Sequence, residues 1–172
     1  MAAIARTALL AVTLACIQLA HSADSLEWSV PDPVRPAIQS RSFKAAFDIG
    51  GWINPFYLRG DFDGDGVADY AVLVVSRSGR KKGIAIWLSG KAGSGPIVVG
   101  AGTRSRAGAG ESDDWDFFDA WQVYGKHGVG QGAGGGRPPT LKGEAILIEK
   151  SESASGILYW DGKQFRWYQQ GD

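Results

Sequence analysis

The feature that most limits what this chain can become is the stretch from Arg59 to Val75, Arg-Gly-Asp-Phe-Asp-Gly-Asp-Gly-Val-Ala-Asp-Tyr-Ala-Val-Leu-Val-Val. Asp61, Asp63, Asp65 and Asp69 stand at positions 1, 3, 5 and 9 of a loop, and Gly64 and Gly66 supply a backbone free to turn those carboxylates inward. Hard oxygen ligands at this density suit a calcium ion. Without a cation the clustered carboxylates repel one another, which makes a merely solvated acidic turn the weaker account. The loop then runs into an apolar, β-branched segment, so one end of it is held by a buried strand.

Position 12 of such a loop is a bidentate Glu in the helix-loop-helix calcium hand, and here it is Val72, inside the apolar run. The chain therefore does not build that hand. The D-x-D-G-D-G-x-x-D spacing between two extended segments resembles the calcium loops of FG-GAP and VCBS-type repeats. That resemblance implies Asp61, Asp63, Asp65 and Asp69 as side-chain ligands and the Val67 carbonyl as a fifth. It covers only the loop and its flanks. A propeller does not carry over with it, because the sequence holds one copy of the loop. The triplet Arg59-Gly60-Asp61 also spells an adhesion tripeptide, but its Asp is committed to the ion.

At the N-terminus, Arg6, an apolar run from Ala8 to Ala15 and the small residues Ala20 and Ser22 read as a secretory signal peptide over residues 1–22. The run is too short to span a bilayer. The rival reading is lipoprotein processing at Cys16, although Thr13 stands where that motif wants Leu. Cleavage removes Arg6 and the one cysteine, leaving 17 Lys and Arg residues against 18 acidic ones. A net charge near minus one predicts no bulk attraction to nucleic acid or to a membrane surface, and no membrane insertion once the leader is gone. A periplasmic or secreted monomer without disulfides is expected to depend on core burial, helped by metal.

Residues 23–40 read as an extended arm, because Pro31, Pro33 and Pro36 oppose a helix, with Trp28 pinning the arm to the body. Residues 41–172 then form one domain. Ser42 to Ile49 and Phe56 to Gly60 are short candidate strands. Asp69 to Val75 and Ile84 to Leu88 are continuous apolar runs, the pattern of a central pair of strands covered on both faces. Between them Ser76 to Gly83 is a cationic hairpin tip. Glu144 to Glu149 is a strand, and Gly156 to Trp160 with Lys163 to Tyr168 forms a hairpin. A two-residue turn at Asp161-Gly162 sets Trp160 opposite Lys163, Leu158 opposite Phe165 and Gly156 opposite Trp167. Leu158, Trp160, Phe165 and Trp167 then share one face. No stretch after the leader shows helical periodicity, so the fold class is all-β, an antiparallel sandwich or strongly curled sheet of seven to nine short strands.

The glycine-rich region from Gly100 to Gly136 brackets Glu111, Asp113, Asp114, Trp115, Asp116 and Asp119, with a strand in the second half of the bracketed stretch. Acid and aromatic residues beside such loops are candidates for ligand binding, and Trp115 reads either as part of the core, the favoured account, or as an exposed stacking residue for a sugar ring. His127 is the one histidine outside the leader. Its glycine-rich setting lacks the rigid support a catalytic base needs. Paired carboxylates for glycoside hydrolysis are available in the acidic cluster, but equally in any acidic loop. The sequence therefore reads as an exported calcium-binding β-domain that acts as a non-catalytic binding module. An envelope protein or a glycan is the expected partner, and the alternatives are inhibition of a secreted hydrolase or a hydrolase of its own.

Overall fold

The computed structural model describes residues 26–91, 95–103 and 112–171, so the leader, Cys16 and Glu111 lie outside the described residues. Its architecture follows from the apolar runs of β3 (Asp69–Ser76) and β4 (Lys82–Trp87), which are buried almost end to end. Successive strand residues point to opposite faces, so an uninterrupted apolar strand must be covered twice. Ala71 and Leu73 join Leu58, Ile84, Ile86 and Val99 in one core, whereas Tyr70, Val72, Val74, Ala85 and Trp87 join a second.

The first sheet places β1 (Phe47–Ile49) and β2 (Tyr57–Gly60) end to end along one edge of β3. On the other side follow β4 and then β5 (Ile97–Gly100), all antiparallel. The second sheet is a meander of β6 (Ala120–Tyr124), β7 (Ala145–Glu149), β8 (Ser155–Trp160) and β9 (Phe165–Gly171). Its inward residues Trp121, Ile146, Ile148, Leu158, Trp160 and Phe165 close the main core against the first sheet. The fold is thus all-β as expected, with nine strands in two antiparallel sheets among the described residues, and β3 and β4 are the central pair of the first. Strand β5 escapes sequence reading because its only signal is the three-residue β-branched run after Pro96.

The outer face of the first sheet corrects the expected N-terminal arm. Residues 26–29 form a helical turn, followed by α1 (Arg35–Ile38) and α2 (Arg41–Ala46). Pro36 sits in the first turn of α1, where a backbone N–H is not needed, so it starts the helix instead of forbidding it. Ser40 caps α2 by accepting the Phe43 N–H at 3.3 Å, and this leaves only Phe47–Ile49 of the expected strand over Ser42 to Ile49. Val30, Val34, Ile38 and Phe43 pack on the sheet. Trp28 does not pin the segment, being 69% exposed.

The C-terminal hairpin is also corrected. Trp160 pairs with Phe165, Leu158 with Trp167 and Gly156 with Gln169, around a four-residue loop. Asp161 lengthens the turn: its Oδ1 accepts the N–H groups of Lys163 at 2.8 Å and Gln164 at 2.9 Å, while its own N–H donates to the Gln164 carbonyl. The register moves by two residues, which preserves side-chain parity, so Leu158, Trp160, Phe165 and Trp167 still face inward. The glycine-rich segment after β6 folds back on this hairpin. Gly132 N–H donates to the Tyr168 hydroxyl at 2.8 Å and Ala133 N–H to the Gln170 carbonyl at 3.1 Å.

The turn predicts an acid response. The bond from Arg166, then those from Gln164 and Lys163, hold the Asp161 carboxyl at about 2, below its ordinary 3.8. A depressed carboxylate pKa stabilises the fold above the unfolded value, and that contribution is lost as pH falls from 3.8 toward 2. In urea titrations at stepped pH, Asp161→Asn should be less stable than the wild type by a constant margin from neutrality down to the unfolded pKa. The margin should then shrink toward pH 2.

Candidate metal centre

The loop from Asp61 to Asp69 is built by its own backbone N–H groups. Asp61 Oδ1 accepts from Gly64 at 2.8 Å and its Oδ2 from Gly66 at 3.1 Å. Asp63 Oδ1 accepts from Asp65 and Asp65 Oδ1 from Val67. Each bond uses one of the roughly four lone-pair sites of a carboxylate, so most remain for a ligand. One carboxylate oxygen from each of Asp61, Asp63 and Asp65 lies within 4.8 Å of the other two, a cluster that can hold a metal ion. Phe62, with no exposed surface, anchors the loop in the main core between two of these acids.

Asp69 stands apart from this cluster. It is fully buried, and its oxygens accept N–H groups from Phe62 at 2.9 Å, Asp63 at 3.3 Å and Ser89 at 2.8 Å. Burial raises its pKa, opposed by the bonds from Ser89 and Phe62. The first work of Asp69 is therefore to tie the loop to itself and to the connection after β4. Val67 is 45% exposed at the loop tip.

Three features of this centre have no local sequence signal. Glu144, from the segment before β7, receives the Asp61 N–H on Oε2 at 2.8 Å and returns its own N–H to the Asp61 carbonyl at 2.7 Å. Gly143 has no room for a side chain, because an added Cβ would stand 2.6 Å from the Gly64 nitrogen. The loop thus docks by backbone contact on the segment that leads into β7 of the second sheet. Lys91 supplies the third feature, with Nζ 3.1 Å from Asp63 Oδ2.

The other candidate residues are spread over separate parts of the structure. Trp115 is 1% exposed, which decides between its two readings for the core and against the stacking platform. The ring lies edge-on to that of Trp167 at 6.1 Å and beside that of Phe117 at 5.6 Å, and the backbone N–H of Trp115 donates to the Lys82 carbonyl. Asp113 pairs with Lys81 at 2.6 Å, and Asp114 accepts the Lys82 N–H at 2.9 Å. Residues 112–118 are in effect a strap fastened across the start of β4, and Asp116 is exposed on it. Asp119 anchors the turn after β7 through Ser151 and Lys150, bonds that hold its carboxyl at about 2. His127 stacks on Tyr124 with ring centroids 4.3 Å apart and lines a depression together with Lys126, Pro138 and Pro139. The cationic hairpin tip is ion-paired as well, since Arg77 and Arg80 both reach Asp48.

Comparison with family models, curated proteins and solved structures finds no significant match to this chain. Among the described residues no helix is long and apolar enough to cross a membrane.

Two substitutions test this arrangement. Trp115→Ala should lower unfolding free energy by roughly 3 to 5 kcal/mol in urea titrations, the cost of deleting a large buried aromatic. A change within about 0.5 kcal/mol would mean that the indole stands in solvent. Gly143→Ala should cost roughly 1 to 3 kcal/mol, because backbone on the opposing loop cannot yield as a flexible side chain can. That outweighs the gain of up to about 1 kcal/mol from a stiffer unfolded chain.

Proposed function

We propose that this chain is an exported β-domain stabilised by one calcium ion, acting as a non-catalytic binding module of the periplasm or cell envelope. The observation that carries the reading is the convergence of Asp61, Asp63 and Asp65 within 4.8 Å on a loop whose amides already orient each carboxylate. Calcium takes six to eight oxygens at about 2.3 to 2.6 Å in a tolerant geometry, whereas magnesium demands a near-ideal octahedron at about 2.0 to 2.1 Å and gives up its waters reluctantly. An irregular loop of carboxylates and a carbonyl suits the more tolerant ion. Asp69 has about one lone-pair site left beyond its three N–H bonds, and the Val67 carbonyl is the fifth ligand that the FG-GAP and VCBS resemblance implies.

Export is supported by the leader pattern over residues 1–22. Among partners, the burial of Trp115 takes the footing from a sugar platform built on that residue and leaves an envelope protein as the favoured class. What the ion contributes is mechanical. It cancels repulsion among carboxylates that the folded loop holds close together, so it favours the folded chain over the unfolded one.

An ion that binds the native state alone adds RT ln(1 + [Ca²⁺]/Kd), about 2.7 kcal/mol at about 1 mM for a Kd of about 10 μM. Thermal melting in EDTA, calcium and magnesium should show a calcium-specific rise in Tm for the wild type, and none for the double variant Asp63→Ala, Asp65→Ala. Equal melting in EDTA and in millimolar calcium would remove the metal from this reading.

A further inference from the structure

The acidic loop carries a cation of its own. Lys91 lies in the connection from β4 to β5 with its Nζ 3.1 Å from Asp63 Oδ2 and 4.2 Å from the centroid of the Trp160 ring. The Asp63 side chain is 5% exposed and that of Lys91 48%, so the ammonium reaches inward from solvent across an indole of the second sheet. Its neighbours in the chain hold the same loop. Ser89 N–H donates to Asp69 at 2.8 Å, and Gly90 lies so close to Asp65 that a Cβ there would strike the carboxylate. Three consecutive residues thus each meet a different acid, Asp69, Asp65 and Asp63.

We propose that Lys91 is the resident counter-ion of the calcium site, which an entering ion displaces from Asp63, and that it thereby sets the affinity of the site and couples ion occupancy to the β4–β5 connection. The proposal rests on the calcium reading above. Without the ion, one ammonium offsets part of the charge of three carboxylates, and the loop keeps its shape. When calcium enters, Asp63 turns its charge to a divalent neighbour, and two cations within a few ångströms repel. The ammonium has solvent on its outer side, so it can withdraw along its flexible stem. The site is then weaker than its carboxylate count implies, because part of the binding free energy offsets the lost ion pair and the contact with Trp160.

Two measurements on the full exported chain test this. Calorimetric titration with calcium chloride should give a Kd about tenfold tighter for Lys91→Met, which keeps an unbranched stem over Trp160 but lacks the charge. The decisive measurement is brief reductive methylation of the wild type read by mass spectrometry, with exposed Lys126 as the internal reference. Lys91 should be labelled several-fold faster in calcium than in EDTA. Unchanged labelling in a protein that binds calcium would overturn the displacement even if Lys91→Met bound more tightly, since removing any nearby charge tightens binding. Such a result leaves the calcium site standing. Binding by Lys91→Met alone would also overturn the displacement, because no ion then removes the lysine from Asp63 in the wild type. Absence of calcium binding by either protein would overturn the metal reading and this proposal together. The labelling arm needs no variant, so it holds even where Lys91→Met folds poorly.

Discussion

Strand β3 has no unoccupied side, and the rest of the molecule is arranged to satisfy it. Its two edges pair with β1 and β2 on one side and β4 on the other. One face enters the core between the sheets and the other the core beneath the N-terminal helices. At about 1.5 to 3 kcal/mol for each large apolar side chain taken out of water, leaving either face bare would cost a sizeable part of a domain's usual margin of stability. The helices are therefore a structural requirement of the strand. The acidic loop inherits its rigidity from the same source, since Asp69 is at once the last acid of the loop and the first residue of β3.

This continuity explains why the centre of the fold was legible in the sequence and its periphery was not. Local chemistry encodes the acidic loop, the doubly covered β3 and β4, and the inward face of the last hairpin. The N-terminal helices were missed because they are one or two turns long, too short for a period to register, and because Pro36 carries opposite meanings in a helix's first turn and in its middle. The hairpin register was missed by two because an Asx turn at Asp161 outcompetes the two-residue turn that Asp-Gly favours.

The candidate site divides along the same line. Residue type and spacing pointed to Asp61, Asp63 and Asp65, whose geometry is set within the loop. Glu144 and Gly143 are partners brought in from the far sheet by tertiary packing, 83 positions away in the case of Asp61 and Glu144. Trp115 misled because its acidic neighbours suggest solvent, whereas those neighbours face outward to Lys81 and the Lys82 amide while the indole turns in. A strap that alternates in this way looks like a surface loop in composition and behaves as part of the core.

The glycine-rich segment after β6 has a consequence for how copies of this chain meet. Strand β9 ends the second sheet, and an open edge of that kind is a template on which a strand from another molecule can add. Here the Ala133 amide takes up the Gln170 carbonyl, while the Tyr168 hydroxyl donates to the Gly136 carbonyl at 3.1 Å. Gly132 has space only for hydrogen against the β9 backbone at Gln169. The absence of side chains, which in the sequence looks like looseness, lets the segment lie flat against the margin of β9, where it takes space that a strand added from another molecule would need.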